Sequence, residues 1–139
     1  MPESPTGLER AVASVGDRWT LLVVQALLDG PLRFGQVAGT VTGIAPNVLT
    51  ARLRHLEREG LVVSRRYQER PPRLVYELSA SGRELAGALA LLGSWGSRRN
   101  GTDAARHHDT CGTGLEVRWF CPTCDRVVDE DEAADLRHL

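Results

Sequence analysis

Residues 43–62 read GIAPNVLTARLRHLEREGLV, and the fold of the whole chain turns on how this stretch is read. Pro46 suits the first position of a helix, where a missing N–H leaves nothing unpaired and the fixed φ is already helical. The spacing predicts a helix from Pro46 to about Glu59, ended by Gly60. Leu49, Leu53 and Leu56 form one apolar stripe. At about 100° per residue, Asn47, Ala51, Arg54 and Arg58 fall on the opposite side, with Thr50 beside them and Arg52 toward the flank, where tying elements together is the alternative to touching phosphate. The leucines ask for a scaffold, whereas the other face offers amide, hydroxyl and guanidinium groups to whatever lies outside. A short helix held out in this way fits the major groove of B-DNA, where its first residues reach base edges.

The scaffold is legible on both sides of it. Upstream, GLERAVASVG places Leu8, Val12 and Val15 at helical spacing and stops at Gly16. Asp17 then caps a second helix, RWTLLVVQALLDG, which is apolar nearly all round and is therefore expected to be central. Gly30-Pro31 ends it, and Phe34, Val37, Ala38 and Val41 mark a short third helix. Downstream, LVVSRRY and RLVYEL are β-prone runs joined by QERPP, whose double proline suits an exposed turn. Ser79 caps a long last helix carrying Leu85, Leu89, Leu92 and Trp95. Four helices, a β-hairpin and a helix is the order of a winged helix-turn-helix. The expected class is mainly α with a small β-hairpin (α+β), with a wing at about 68–73.

Charge supports that reading. The net charge is −1, and all 17 basic residues are arginine. Residues 52–73 hold seven of these (52, 54, 58, 65, 66, 70 and 73) against Glu57, Glu59 and Glu69, a local excess of +4. A basic patch on a near-neutral chain points to a polyanionic partner. Arg65 and Arg66 are neighbours on a strand and face opposite ways, so at most one of them faces such a partner directly.

Four stretches, GDRWTLLVVQALLDGPLRF (16–34), GIAPNVLTARLRHLEREGLV (43–62), PPRLVYELSASGREL (71–85) and WG (95–96), resemble the HxlR-type transcriptional regulators, winged-helix proteins related to the MarR group. The resemblance covers nearly all of residues 8–96. It implies a cytoplasmic, homodimeric, double-stranded-DNA-binding regulator, read here as a repressor. Asn47, Thr50, Arg52 and Arg54 match the family's recognition helix, and Arg70 and Arg73 flank its wing tip. Ala51, Arg65 and Arg66 complete the candidate DNA-contacting set. Leu85, Leu89, Leu92 and Trp95, with help from the first helix, are the candidate dimer interface. Two departures matter. Many members carry a cysteine just before the first helix, where this chain reads SPTGLER. The recognition helix often begins Ser-Pro, where this chain has Ala45-Pro46 and so lacks a side-chain cap worth about 1 kcal/mol.

All three cysteines lie in HHDTCGTGLEVRWFCPTCDR (107–126). His108/Cys111 and Cys121/Cys124 are two pairs, each with a two-residue gap, which is the spacing that lets both members of a knuckle face one ion. LEVRWF between them alternates like a strand, giving the layout of a short zinc ribbon. A structural zinc on His108, Cys111, Cys121 and Cys124 is expected, with His107 the competitor for the fourth place. Four protein ligands leave no open position for catalysis. The alternative is a thiol redox switch made by Cys121 and Cys124, or plain small hydrophobes. Asp125 stands where glycine often follows such a knuckle.

The expected division is a winged-helix DNA-binding and dimerisation domain over 1–97, then a linker, a Cys/His module and an acidic tail over 98–139. No run of 18 uncharged apolar residues and no leader-like N-terminus is present, so a cytoplasmic location is expected. No Ser-His-Asp arrangement, phosphate loop or nucleotide fingerprint argues for an enzyme. The competing reading is a protein-interaction adaptor whose winged helix reads no DNA and whose zinc-ribbon-like module, with its acidic tail DEDEAAD (129–135), docks a partner. A small-molecule effector is compatible with either, and no residue pattern identifies one.

Overall fold

The computed structural model describes residues 4–102 and 106–132. Of the acidic tail, residues 133–139 lie outside the described residues, as do residues 103–105 of the linker. The chain divides into two compact units, residues 1–93 and 94–139.

In the first unit, α1 (Gly7–Val15) starts at Thr6, whose hydroxyl accepts from the Glu9 amide while the Glu9 carboxylate accepts from the Thr6 amide. This capping box satisfies two free N–H groups of the first turn. Of the apolar stripe on α1 only Val15 is buried; Leu8 and Val12 face outward.

Asp17 caps α2 (Arg18–Leu27) as expected, accepting from the amides of Trp19 (3.0 Å) and Thr20 (3.1 Å) and from the Thr20 hydroxyl. Partial burial pushes the Asp17 carboxyl up, but those hydrogen bonds and the Arg52 charge outweigh it, so its pKa lies below the ordinary 3.8. A carboxylate with a lowered folded pKa stabilises the fold above its unfolded pKa, and that contribution disappears as pH falls through the folded value. Asp17→Ala should therefore cost about 0.5–2 kcal/mol at neutral pH. In urea titrations the gap from wild type should narrow below pH of about 4; a gap that is equal at pH 7 and pH 3 contradicts the cap.

After α2 comes β1 (Leu32–Arg33), a strand the periodicity did not suggest, because two residues carry no readable period. It exists through pairing with β3 (Arg73–Leu78), which also pairs with β2 (Val62–Gln68), so the expected two-stranded hairpin is a three-stranded antiparallel sheet of order β1-β3-β2. The turn at the double proline lies where expected. Between β1 and β2 lie α3 (Phe34–Thr40) and α4 (Pro46–Arg58). The core joins Val23, Val24 and Leu27 of α2 and Val37 of α3 to Leu49, Leu53 and Leu56 of α4, with Val62 and Leu78 of the sheet closing it.

The single last helix expected from Ser79 is two. Ser79 does cap α5 (Ala80–Arg83), accepting from the Gly82 amide at 3.1 Å. The i→i−4 ladder then breaks: the Leu85 amide donates to the Gly82 carbonyl, three residues back, before α6 (Ala86–Arg99) resumes.

The second unit contains the hairpin β4 (Trp119–Cys121) and β5 (Arg126–Val128) and a 3-10 turn over Glu130–Glu132. The strand expected over 115–120 begins only at Trp119. None of its residues with a described side chain is buried. Among the described residues, no helix is long and apolar enough to cross a membrane.

Candidate nucleic-acid interface

The three leucines of α4 are at most 2% exposed, so their burial decides which face points out. Asn47, Ala51, Arg54 and Arg58 are exposed, as the spacing predicted. Polar ties to α1 add to the leucines. His55 Nε2 lies 2.6 Å from the Ser14 carbonyl oxygen, and the Ser14 hydroxyl donates to Glu59 (2.7 Å). A periodicity argument treats His55 as a surface residue; only packing against α1 reveals this partner.

Two of the candidate contacts on α4 are already engaged. The Thr50 hydroxyl donates to the Pro46 carbonyl at 2.9 Å, leaving its lone pair but not its proton for a base edge. Arg52 Nε lies 3.5 Å from Asp17 Oδ1, which places Arg52 against the cap of α2. Its Nε is buried without a hydrogen bond, so the attraction is coulombic. The flank position suggested by the sequence thus serves helix–helix contact.

On the wing, Arg65 donates to Glu77 on β3 at 2.8 Å, and Arg66 lies 3.7 Å from Glu69. Both arginines are about 60% exposed (61% and 62%), and such surface pairs contribute roughly 0–1 kcal/mol, little enough for a phosphate to replace the carboxylate. Arg54, Arg58, Arg70 and Arg73 form no ion pair among the described residues, and all four are exposed. Arg54 also sits close enough to the wing base to act on Tyr76: burial and Glu57 push that phenol up, and Arg54 opposes them. Arg33 stacks on Tyr67 with 4.7 Å to the ring centre, tying the start of α3 to β2. A cavity of about 560 Å³ opens there, lined by Phe34, Tyr67 and Tyr76 among others.

The candidate dimer residues differ in exposure. Leu85 and Leu89 pack partly against the chain's own core, whereas Leu92 and Trp95 are 53% and 56% exposed.

In the second unit the candidate metal ligands form two pairs. His108 Nδ1 lies 3.3 Å from Cys111 Sγ, and the Cys111 and Gly112 amides donate to the His108 carbonyl at 3.2 and 2.7 Å. The Thr113 hydroxyl and amide, with His108, bring the Cys111 thiol down to about 7. The Cys121 thiol is lowered by the amide and thiol of Cys124 and by the Thr123 amide. All three cysteines are free thiols. Among the described residues no three His, Cys, Asp or Glu groups are gathered for one ion, so the expected four-ligand cluster is present here as two separate pairs.

Against known proteins, residues 14–103 match the HxlR-like helix-turn-helix family. An uncharacterized HTH-type transcriptional regulator of Mycobacterium tuberculosis is 38% identical over 123 residues, which are 86% of this chain and 77% of that protein. The solved structure of a putative transcription factor from Pseudomonas aeruginosa is similar at a TM-score of 0.68, with 28% identity over 90% of this chain and 87% of its own. The redox regulator HypR in its reduced form superimposes at a TM-score of 0.64, with 27% identity over 68% of this chain and 94% of that one.

Proposed function

The chain belongs to the HxlR-like helix-turn-helix family of DNA-binding transcriptional regulators, and from that premise we propose that it is a sequence-specific repressor that occupies its operator as a homodimer. One observation carries the reading. α4 buries Leu49, Leu53 and Leu56 and leaves Asn47, Ala51, Arg54 and Arg58 on an exposed face, with no carboxylate paired to either arginine among the described residues.

α4 enters the major groove. Asn47 offers both a donor and an acceptor, and Arg54 a planar fork suited to guanine. Ala51 supplies a methyl surface for thymine. Arg70 and Arg73 meet phosphates and release condensed counterions, with Arg65 and Arg66 joining them by exchanging Glu77 and Glu69 for the backbone. Two such helices read half-sites about one helical turn, or a multiple, apart. The exposed Leu8 and Val12 on α1, and Leu91, Leu92 and Trp95 on α6, supply apolar surface for a two-fold partner. Repression then needs only occupancy of a promoter.

The test is a gel shift on duplexes from the protein's own upstream region, with salt titration and stoichiometry. Arg54→Ala should lose about 1–3 kcal/mol of discrimination at one base pair. Arg73→Ala should weaken all sequences alike and reduce the salt slope by about 1. Equal losses with unchanged preference would refute this division of labour. No binding to any duplex at low salt would leave the adaptor reading standing.

A further inference from the structure

The two Cys/His pairs share a local construction that their sequences, HDTCG and CPTCD, only partly share. In each, the second member of the pair, Cys111 or Cys124, is followed by a residue in the left-handed region, Gly112 at φ 69° and Asp125 at φ 53°. Glycine adopts that conformation freely; for an L-residue it is uncommon, and Asp is one of the few that tolerate it. The chain therefore turns back on itself in the same sense after both pairs. In the first, the amides of Cys111 and Gly112 fold onto the His108 carbonyl. In the second, Cys121 ends β4 and Cys124 lies in the turn before β5.

A second observation is independent of the first. The described side chains of the second unit include Leu115, Val117, Trp119, Phe120 and Val127, each between 47% and 67% exposed, and none is buried. Ordering a residue costs roughly 1–2 kcal/mol of backbone entropy, and the described residues of this unit form no apolar core to offset it. A metal ion is the usual substitute in a segment this short.

We propose that His108, Cys111, Cys121 and Cys124 close on a single structural zinc ion, and that this closure provides the folding free energy of residues 106–128. Three thiols give up their protons and the imidazole donates a neutral nitrogen lone pair, so Zn²⁺ becomes a four-coordinate centre of net charge −1 with no site left for catalysis. The two pairs must approach one another, since no three of these groups are gathered among the described residues. His108 is the nitrogen ligand: its ring already lies against Cys111, whereas the His107 backbone is bridged to Gly114. The site is independent of DNA reading by α4.

The test uses the full chain purified reduced. Elemental analysis should find about one zinc per chain, and cobalt replacing it should show thiolate charge-transfer and tetrahedral d–d bands. Cys121→Ser and Cys124→Ser should lose the metal, His108→Ala should weaken it, and His107→Ala should retain it. Because these variants could unfold the segment, wild-type protein is also followed by amide exchange before and after chelation. Protection over 106–128 should fall while that over 7–93 stays. Three titratable thiols unaffected by added zinc, a Cys121–Cys124 disulfide in protein isolated under reducing conditions, or exchange indifferent to chelation would each overturn the proposal.

Discussion

Replacing Leu53 with alanine is expected to lower the unfolding free energy of the winged helix by about 2–5 kcal/mol. The side chain is 2% exposed and lies in the cluster that joins α4 to Val23, Val24 and Leu27 of α2. Alanine removes three carbons from a close-packed interior and leaves a cavity whose walls are other helices, which relax only in part. A domain of this size has a total stability of about 5–15 kcal/mol, so the variant folds but with much of its margin gone. Leu53→Met, which nearly conserves volume, should cost less than about 1.5 kcal/mol. Urea unfolding of all three forms gives the comparison. In conditions where Leu53→Ala remains folded, its base preference should match wild type, because Arg54 and Asn47 are on the other face. A loss below about 1 kcal/mol would show that α4 is not seated through its leucines.

Gly82→Ala should act in the opposite direction to helix propensity. On propensity alone, glycine to alanine inside a helix gains roughly 0.5–1 kcal/mol. Here an added Cβ would fall well inside van der Waals distance of the Leu61 carbonyl oxygen and 3.2 Å from both the Leu61 carbonyl carbon and Leu78 Cδ2. The obstacle is backbone, and that same carbonyl accepts from the Ser79 amide at 2.9 Å, while the Ser79 hydroxyl donates to the Gly60 carbonyl at 2.7 Å. Moving it would disturb the start of α5 and the entry to β2 together. The expected loss is about 1–3 kcal/mol or more. Gly93→Ala is the control: nothing lies within 4 Å of its Cβ position and the site is an exposed turn of α6, so it should gain up to about 1 kcal/mol. Thermal unfolding of the pair decides the matter; equal signs would mean that α5 does not pack against Leu61.

Much of the interface was readable in one dimension because α4 repeats a simple pattern. Leu49, Leu53 and Leu56 recur on one side of a helix, and whatever buries them must expose Asn47, Ala51, Arg54 and Arg58. Caps were legible where the capping atom is near in sequence, as at Asp17 and Ser79. The Thr6–Glu9 box has the same local character, and its Thr-x-x-Glu spacing is a readable signal. Other features depend on residues far apart in the chain. His55 looks like any exposed histidine until α1 brings the Ser14 carbonyl to it, 41 positions away. Arg52 reads from the sequence as a flank residue suited to tying elements together, and only the fold names Asp17, at the cap of α2, as its partner. Leu85 and Leu89 read as partner surface, and only the fold shows that the chain's own core takes up part of each.

The sequence by itself determined the run of four helices into a β-hairpin, the buried side of α4, the basic character of the wing and the close spacing of His108 with Cys111 and of Cys121 with Cys124, since each follows from periodicity, charge or spacing within a few residues. Only the tertiary structure decided that Leu32–Arg33 becomes a third strand, that the last helix breaks beyond Gly82, and which arginines already hold carboxylates. Those outcomes are set by neighbours that chain folding brings together, such as Tyr76 and Val75 beside β1 and Glu77 beside Arg65. A hydrogen bond or steric contact acts over a few ångströms of space, whatever the separation along the chain.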